Sequence, residues 1–362
     1  MKTSLPKLLA AFIGLLLSLS TFSQTPATAL NTDGVNDYVA INNPFRAFQK
    51  EITVEFWMNT PNTIMPYGSI MGQSTSGVDN MSTNVWLMHP DTKGNIDFLV
   101  NDGGVWKGVT VALQTGWHHY VGVASEFGVR FYVDGVLAPT VSGGPGLATG
   151  ISNGIVNNPN SVLHIGKDVR HNTGRFGNIT IDEVRIWSRV LCQEEIQNNM
   201  NCELNPVGQD GLQEYYRFNQ GFAGADNSME ETILNDLSGN NRNGTLIGFT
   251  LSGNTSNWVQ SGFTSTTNCT PYVAPISPIT GTTTLCAGGN TTLANTISGG
   301  LWSSSNTAVA TINRNTGVVN AISAGSATIT YRTECGGVAT TTFTVNAIPS
   351  VTIAAVGGTT GC

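Results

Sequence analysis

Apolar and polar residues alternate with a period of two along much of the first half of the chain. The alternating runs are short and are separated by Gly, Asn, Pro or Asp, which is typical of β-strands that bury one face. Between two of these runs stands the pair Asp134-Gly135, which predicts a type I′ hairpin because both turn positions need a positive φ. The pattern therefore predicts an all-β sandwich. The runs read, in order from Ile52, ITVEFWM, NVWLMHP, NIDFLVND, VWKGVTVAL, WHHYVGVA, VRFYVDGVLA and SVLHIGK.

Two segments frame these runs. The first is ALNTDGVNDYVAI at 29–41 and the second is GNITIDEVRIWSRVL at 177–191. Together with the run WHHYVGVASEFGVRFYVDG, they resemble a laminin-G-like, or concanavalin A-like, jellyroll. The resemblance implies that the two segments lie near each other in the sandwich and that the domain serves mainly to bind glycans, proteins or calcium. We assign residues 24–202 to this domain.

The following segment, 203–269, raises a question of connectivity. Its stretches LQEYYRFNQG and NDLSGNNRNGTLIGF look like the segment that usually opens a laminin-G-like domain, but here they come after it. We hypothesise that residues 211–259 fold back onto the sandwich, as in a circular permutation, since the termini of compact domains often lie close together. The alternative is a separate small β unit on a linker.

A second domain follows a linker at 270–278, which is marked by the prolines of TPYVAPISPITG. Residues 279–347 contain the turn Asn315-Thr316-Gly317 and the strand AGSATITY, and they resemble a bacterial Ig-like domain of group 2. The last residues, 348–362, repeat the entry to that domain. We therefore expect a further Ig-like repeat that is truncated at this point.

The first 23 residues have the features of a signal peptide. Lys2 and Lys7 precede an apolar run at 8–19, and the small-residue ending TFS follows. The run is shorter than the ~20 residues that a membrane-spanning helix needs. We expect cleavage before Gln24, no transmembrane segment in the mature chain, and a protein that is secreted or held at the bacterial cell surface.

Six cysteines in such a chain suggest disulfide bonds. Cys192 and Cys202 bracket a short amphipathic helical segment, and we pair them with each other. A pairing of either one with Cys269 stays open, because spacing does not fix connectivity. Cys286 and Cys335 flank the Ig-like body and form the second predicted pair. The terminal cysteine is left over, which again suggests that the protein continues.

Charge is sparse along the whole chain. Charged residues make up 11%, the net charge is -7, and the sequence contains no basic cluster. Nucleic acid is therefore not an expected partner, because phosphate binding needs clustered Lys and Arg.

The acidic residues do not follow a glycosidase pattern. The E-x-D-x-x-E strand motif that glycosidases of this fold usually carry does not occur in the sequence. Glu51 and Glu55 would lie roughly 13 Å apart along a strand, whereas glycosidase carboxyl groups lie about 5 to 10 Å apart. Asp182 and Glu183 are neighbours, so we expect them on opposite faces of their strand. No nucleophile elbow is present either. We therefore expect no catalytic residues.

Oxygen ligands occur in both framing segments. Asp33, Asn36 and Asp37 lie in the first, and Asp182 lies in the second. Carboxylate and amide oxygens are the ligands that Ca²⁺ prefers, and the resemblance brings the segments together. These four residues are our predicted site for a structural calcium ion. The alternative is that Asp33 and Asn36 only stabilise a turn through side-chain hydrogen bonds.

A sugar surface would combine an exposed aromatic ring with polar partners. Trp86 and Trp106 stand in less apolar surroundings than the other strand tryptophans, and Trp106 follows Asn101 and Asp102. We predict these four residues as ligand-binding. The alternative is that both tryptophans pack in the core, as strand tryptophans often do.

These observations favour a secreted or cell-surface adhesion protein. Its laminin-G-like domain would recognise a glycan or an extracellular protein. The Ig-like spacers would project this domain from the cell surface, as in modular bacterial adhesins. The main alternative is a non-catalytic carbohydrate-binding region of a larger polysaccharide-degrading enzyme. A third interpretation is that the protein is a structural stalk without a specific ligand.

Overall fold

The computed structural model describes residues 27–62, 70–141, 149–229, 232–263 and 272–348. These ranges consist mainly of strands, loops and one short helix, which confirms the predicted all-β class. Within them, no helix has the length and apolar character needed to cross a membrane. The predicted signal peptide, Cys269 and nearly all of the predicted further repeat lie outside the described residues.

The first domain is built from the strands up to residue 260 and from the helix. Its elements are β1 (Thr28–Asn31), β2 (Tyr38–Ile41), β3 (Ile52–Thr60), β4 (Met71–Ser74), β5 (Trp86–Pro90), β6 (Asn95–Asp102), β7 (Val105–Ala112), β8 (Gly116–Ser125), β9 (Gly128–Val133), β10 (Val136–Leu137), β11 (Val162–Ile165), β12 (Thr180–Trp187), α1 (Gln193–Asn199), β13 (Leu212–Tyr216), β14 (Ile233–Leu234), β15 (Gly244–Ile247) and β16 (Asn257–Gln260).

These strands form two antiparallel sheets that pack face to face. The first sheet has the order β10-β9-β8-β3-β12-β1-β16, and β13 also pairs with β12. The second has the order β14-β15-β2-β11-β4-β5-β6-β7. Alternate residues of both sheets enter one apolar core, for example Phe56 and Phe98. Asp134 and Gly135 turn the predicted hairpin between β9 and β10 with φ values of 50° and 74°.

The segment after α1 completes both sheets. Strand β13 pairs with β12, β15 pairs with β2, and β16 pairs with β1. In the last pair, Ala29 lies opposite Val259 and Leu30 lies opposite Trp258. Residues 212–260 are thus folded back into the sandwich and are not a separate unit.

Strand β12 contains a β-bulge at Glu183. Its pairing with β3 shifts register between Asp182 and Arg185, and Glu183 has a φ of 52°. Ile181 and Val184 both point into the core, so the extra residue leaves Asp182 and Glu183 on the same, outer side. The expectation that these carboxylates face opposite sides is wrong, because it assumed a strand without a bulge.

An ionic network is buried on this outer side of the first sheet. The Arg185 guanidinium lies 3.5 Å from Glu55 Oε1 and donates a 2.6 Å hydrogen bond to Glu183 Oε2. Trp187 Nε1 donates to Glu55 Oε1 at 3.0 Å, and the Tyr215 hydroxyl donates to Glu183 Oε2 at 2.7 Å. All five side chains are buried. Each charge therefore depends on its partners for the stabilisation that water would otherwise supply.

Helix α1 and the chain that leaves it cover the network. The Arg185 guanidinium donates to the backbone carbonyl oxygens of Asn199 and Cys202, at the end of the helix and just after it. Trp57 Nε1 donates a 2.7 Å hydrogen bond to the carbonyl oxygen of Met200. The cover therefore closes the outer face of β3 and β12 to solvent at this point.

Another buried carboxylate joins the fold-back segment to the first part of the chain. Glu214 on β13 accepts a 2.6 Å hydrogen bond from the backbone N–H of Phe45 and a 3.1 Å hydrogen bond from the Tyr216 hydroxyl. Burial raises the pKa of Glu214 to about 7. The Glu214 carboxyl of the folded protein is therefore mainly protonated below pH 7 and mainly ionised above it.

The second domain is a smaller sandwich. Its sheets have the orders β17-β23-β22-β19 and β18-β21-β20, and β17 runs parallel to β23. Trp302, Ile329 and Phe343 lie in the core between them. The strands are β17 (Thr284–Cys286), β18 (Asn290–Thr292), β19 (Leu301–Ser304), β20 (Ala310–Ile312), β21 (Val318–Ala321), β22 (Gly325–Arg332) and β23 (Val338–Asn346).

The predicted disulfide between Cys192 and Cys202 is wrong, because Cys192 is a free thiol. The seven-residue helix α1 stands between the two cysteines. A helix of that length spans ~10 Å, whereas disulfide-bonded Cα atoms lie within roughly 7 Å of each other. Cys202 is disulfide-bonded, and its partner lies outside the described residues because the other described cysteines are free.

The predicted disulfide between Cys286 and Cys335 is wrong as well, since both are free thiols. Cys286 lies opposite Asn346, at the end of β23, whereas Cys335 precedes the start of β23 at Val338. The length of this strand, roughly 25 Å at ~3.3 Å per residue, separates the two thiols.

Replacing Arg185 by Met is expected to destabilise the protein by ~3 to 5 kcal/mol, because Glu55 and Glu183 would stay buried without a counter-ion. Burial alone raises the pKa of Glu55, but Arg185 and His119 outweigh burial and hold that pKa at about 2. Urea unfolding at pH 7 measures the loss, with the exposed Lys93→Met as control. Equal stability of R185M and K93M would contradict a structural role for the network.

Replacing Glu214 by Gln is expected to flatten the dependence of stability on pH. The pKa of Glu214 rises on folding from 4.5 to about 7. Its stabilising contribution is therefore complete below pH 4.5 and is lost as the pH rises through 7. The wild type should lose ~3 kcal/mol more than E214Q across this window. Unfolding free energies at several pH values measure the difference, with the exposed Glu194→Gln as control. Parallel curves for the wild type and E214Q would refute the assignment.

Candidate functional site

Trp86 lies in the core and not at a surface. Its side chain is 0% exposed, and its indole Nε1 donates a 2.9 Å hydrogen bond to Gln73 Oε1. A ring without an accessible face cannot stack on a ligand. The predicted ligand-binding role of Trp86 is therefore corrected to a packing role, which was the alternative considered from the sequence.

Asn101 and Asp102 are buried and organise loops. The Asn101 side-chain amide donates to the carbonyl oxygens of Met81 and Asn84. The Asp102 carboxylate accepts hydrogen bonds of 2.7 to 3.0 Å from backbone and hydroxyl groups of residues 152–154. Burial raises the pKa of Asp102, but these hydrogen bonds outweigh burial and lower it. Both side chains position loops beside the β6–β7 hairpin, so the prediction that they contact the ligand themselves is corrected.

Trp106 is the predicted ligand residue that keeps partial exposure. It lies on the outer face of the second sheet and packs against the cluster of Leu87, Leu99 and Val169. Two positions along β7, an added Cβ on Gly108 would lie 2.4 Å from a backbone oxygen of β6. A side chain does not fit there, because the Leu99 side chain also lies 2.5 Å from that position, so the glycine leaves room for Leu99 to pack over the backbone of β7.

A charged rim, formed by Asp79, Asp168, Arg170 and Arg175, borders this cluster at Val169. Asp168 accepts two hydrogen bonds of 2.9 Å from Arg170 and one of 3.1 Å from Arg175. Burial raises the pKa of Asp168, but the two guanidinium groups outweigh burial and lower it. Arg170 Nη1 also lies 3.5 Å from Asp79 on the loop after β4. An apolar aromatic surface thus adjoins groups that bind hydroxyls and anions.

Sequence reasoning missed the charged rim because its members come from two loops far apart in the chain. The short run Lys167-Asp168-Val169-Arg170 was the one local signal. Charged loops of this kind are common, so the run by itself did not indicate a site.

Asp182 lies apart from the turn that holds the other three predicted calcium ligands, Asp33, Asn36 and Asp37. Asp182 accepts a 2.6 Å hydrogen bond from the Ser261 hydroxyl and a 2.8 Å hydrogen bond from the Glu183 N–H. In the described part of the chain, the carboxylates of Asp33, Asp37 and Asp182 do not form a group within 4.8 Å. The fold therefore does not bring Asp182 into a single coordination sphere with the turn.

Within the turn itself, the three predicted ligands differ in whether an oxygen atom is left for a cation. Asp33 Oδ1 accepts a 2.8 Å hydrogen bond from the Val35 N–H, which is the turn-stabilising alternative. The Asn36 amide is exposed and donates to the carbonyl oxygen of Gly248 at 3.3 Å. Asp37 is buried, Oδ2 accepts from the Asp33 N–H at 3.1 Å, and Oδ1 has no hydrogen-bond partner. Burial raises the pKa of Asp37. A free, buried carboxylate oxygen is the feature here that fits a hard cation.

Known families match both domains. Residues 33–197 match the family described as the concanavalin A-like lectin/glucanases superfamily, and residues 274–345 match the bacterial Ig-like domain (group 2). No curated protein matches the chain significantly.

Several solved structures are similar to this chain. A protein from Bacteroides ovatus described as carbohydrate-binding shares 20% identity at a TM-score of 0.44, and the match covers 64% of this chain and 62% of that one. A heptameric SAP-like pentraxin from Limulus polyphemus shares 16% identity at a TM-score of 0.35, covering 48% and 81%. Domains LG4-5 of the mouse laminin alpha1 chain share 14% identity at a TM-score of 0.33, covering 54% and 48%.

Similarities of this size carry no conclusion about function, whereas the family matches agree with the resemblances in the sequence. Residues 33–197 therefore form a domain of the concanavalin A-like lectin/glucanases superfamily, and residues 274–345 form a group 2 bacterial Ig-like domain.

Proposed function

We propose that the first domain is a non-catalytic binding module that holds a glycan on the outer face of its second sheet, around Trp106. The observation that carries this proposal is the contact between a partly exposed tryptophan and an apolar cluster that the charged rim borders. The indole face would pack against the C–H groups of a sugar ring. The carboxylates and guanidinium groups of the rim would hydrogen-bond to its hydroxyl or acidic groups.

The burial of the acidic residues supports a non-catalytic role. Glycoside hydrolysis needs two carboxyl groups that flank the bond to be broken. Glu55 and Glu183 are buried beneath α1 and are both paired with Arg185. Glu51 forms an ion pair with Arg332 of the Ig-like domain. A substrate could reach Glu55 or Glu183 only if the helix left the sheet.

A calcium ion is the cofactor that we propose for the turn at Asp33 and Asp37. The unpartnered Oδ1 of buried Asp37 supports it, because a bound cation would compensate the ionised carboxylate. Neighbouring backbone carbonyl oxygens and water would have to complete the ligand set. Asp182 is left out of this proposal, since Ser261 and the Glu183 N–H already occupy its carboxylate.

We also propose that the protein acts outside the cell, where the Ig-like domain serves as a spacer for the binding module. An extracellular protein remains the other partner class for the same face. The adhesin and the carbohydrate-binding region of an enzyme share this binding chemistry. They differ in the modules that accompany these domains in the full gene.

Replacing Trp106 by Ala is expected to weaken glycan binding by the full chain at least tenfold, or about 1.4 kcal/mol. A glycan array on the wild type identifies the ligand, and titration of that glycan measures the loss. Val105→Ala, which removes the exposed apolar side chain next in the strand, is the control and should bind normally. Unchanged binding by W106A would move the site elsewhere. An array on which the wild type binds nothing would reject the glycan proposal.

Calcium is expected to raise the melting temperature of the wild type by a few degrees relative to chelator, because it binds the folded state only. Asp37→Asn should abolish this difference, whereas Asp226→Asn, at an exposed site, should preserve it. Differential scanning calorimetry in calcium and in chelator provides the measurement. Identical melting of the wild type in both conditions would reject the ion.

A further inference from the structure

The Ig-like domain contacts the first domain through ion pairs. Glu334 pairs with Arg130 on β9, and Arg332 pairs with Glu51 ahead of β3. Arg332 Nη1 also lies 3.8 Å from Glu126 in the turn between β8 and β9. Residues 332–334 lie at the end of β22 and in the turn towards β23, so these contacts hold that turn against the first domain.

Two free thiols meet at this contact. Cys192 directly precedes α1 in the first domain, and Cys335 follows Glu334 in the turn of the Ig-like domain. Their sulfur atoms and a carboxylate oxygen of Glu194 all lie within 4.8 Å of one another. Cys192 also forms a hydrogen bond with Tyr272, in the segment that leads to the second domain.

The two thiols differ in acidity because they are hydrogen-bonded to each other. The hydrogen bond from Cys335 lowers the pKa of Cys192, and the Tyr272 hydroxyl acts in the same direction. The same bond to Cys192, together with burial, raises the pKa of Cys335. Cys192 is therefore the thiol that ionises first and attacks an oxidant, since the thiolate is the nucleophile.

We propose that Cys192 and Cys335 form a disulfide bond that links the binding module covalently to the Ig-like domain. The sulfurs must move from their present contact to a bond length of about 2.05 Å. Gly336, which has a φ of 80°, directly follows Cys335 and gives the turn backbone freedom for this shift.

The oxidant is a small-molecule or protein disulfide, which is the chemistry of an oxidising compartment. The Cys192 thiolate attacks one sulfur of this disulfide and releases the other as a thiol. The Cys335 thiolate then attacks the mixed disulfide at Cys192 and releases the second thiol. The two protein thiols lose two electrons and two protons in total, and the oxidant takes them up as two thiols.

A disulfide fits this cluster better than a metal ion does. The cluster offers two sulfurs and a carboxylate from Glu194, which is exposed. Structural zinc sites usually have four ligands, most of them Cys or His. Zinc binding is nevertheless an outcome that the experiment can detect.

The linkage would fix the position of the ligand-binding face relative to the spacer. The ion pairs of Arg130 and Arg332 lie in partly exposed positions and are expected to weaken in salt. A covalent bond does not depend on ionic strength.

The test uses the full chain, incubated with oxidised glutathione and then alkylated in denaturant. Peptide mass spectrometry is expected to find a Cys192–Cys335 cross-linked peptide in most of the protein, which disappears on reduction. Recovery of both cysteines as alkylated thiols would overturn the proposal. The proposal would also be overturned if the two thiols bind zinc. In that case they would become alkylated only after chelation, and elemental analysis would find one zinc per chain.

A second measurement separates the cross-link from general effects of substitution. Limited proteolysis of the segment at 272–278 should leave the two domains joined on a non-reducing gel and separate them after reduction. Cys335→Ser should separate without reduction, whereas Cys286→Ser, the exposed free cysteine of the same domain, should stay joined. Fragments that stay joined in C335S, together with no Cys192–Cys335 peptide from the wild type, would assign the link to the disulfide of Cys202 and refute this one.

Discussion

The buried charge of Arg185 is the constraint on which much of the first domain depends. A guanidinium group away from water needs partners on several sides. Glu55 on β3 and Glu183 at the bulge supply the charge, and the chain leaving α1 supplies backbone carbonyl oxygens. Tyr215 on the fold-back strand then satisfies the same Glu183 oxygen. The bulge in β12, helix α1 and the fold-back strand β13 are therefore coupled through the guanidinium group of Arg185.

Helix α1 and the chain that leaves it also distinguish the outer faces of the two sheets. The outer face of the first sheet is closed by α1 around residues that would otherwise look catalytic. The outer face of the second sheet carries Trp106, the small cluster beneath it and the charged rim. Asn101 and Asp102 contribute to this face indirectly, because they hold the loops at its edge. If the proposed function holds, the network that stabilises the domain and the surface that binds the glycan lie on opposite sheets of the sandwich.

Helix α1 connects these features to the second domain. Its end covers Arg185, and the residue before it, Cys192, contacts Cys335 of the Ig-like domain. The element that closes one sheet is therefore also part of the contact between the domains.

The sequence by itself determined the all-β class, the two family resemblances and the Asp134-Gly135 hairpin, because periodicity and turn chemistry are local. It also raised the fold-back of residues 211–259 as one of two alternatives. Only the tertiary structure decided that Trp86 is buried while Trp106 is partly exposed, since a period of two does not say which side faces the core. The bulge at Glu183 reversed the expected side of a carboxylate, and the cysteine pairs failed because α1 and β23 hold the thiols apart. The charged rim depends on two distant loops, which meet only when the sheets close.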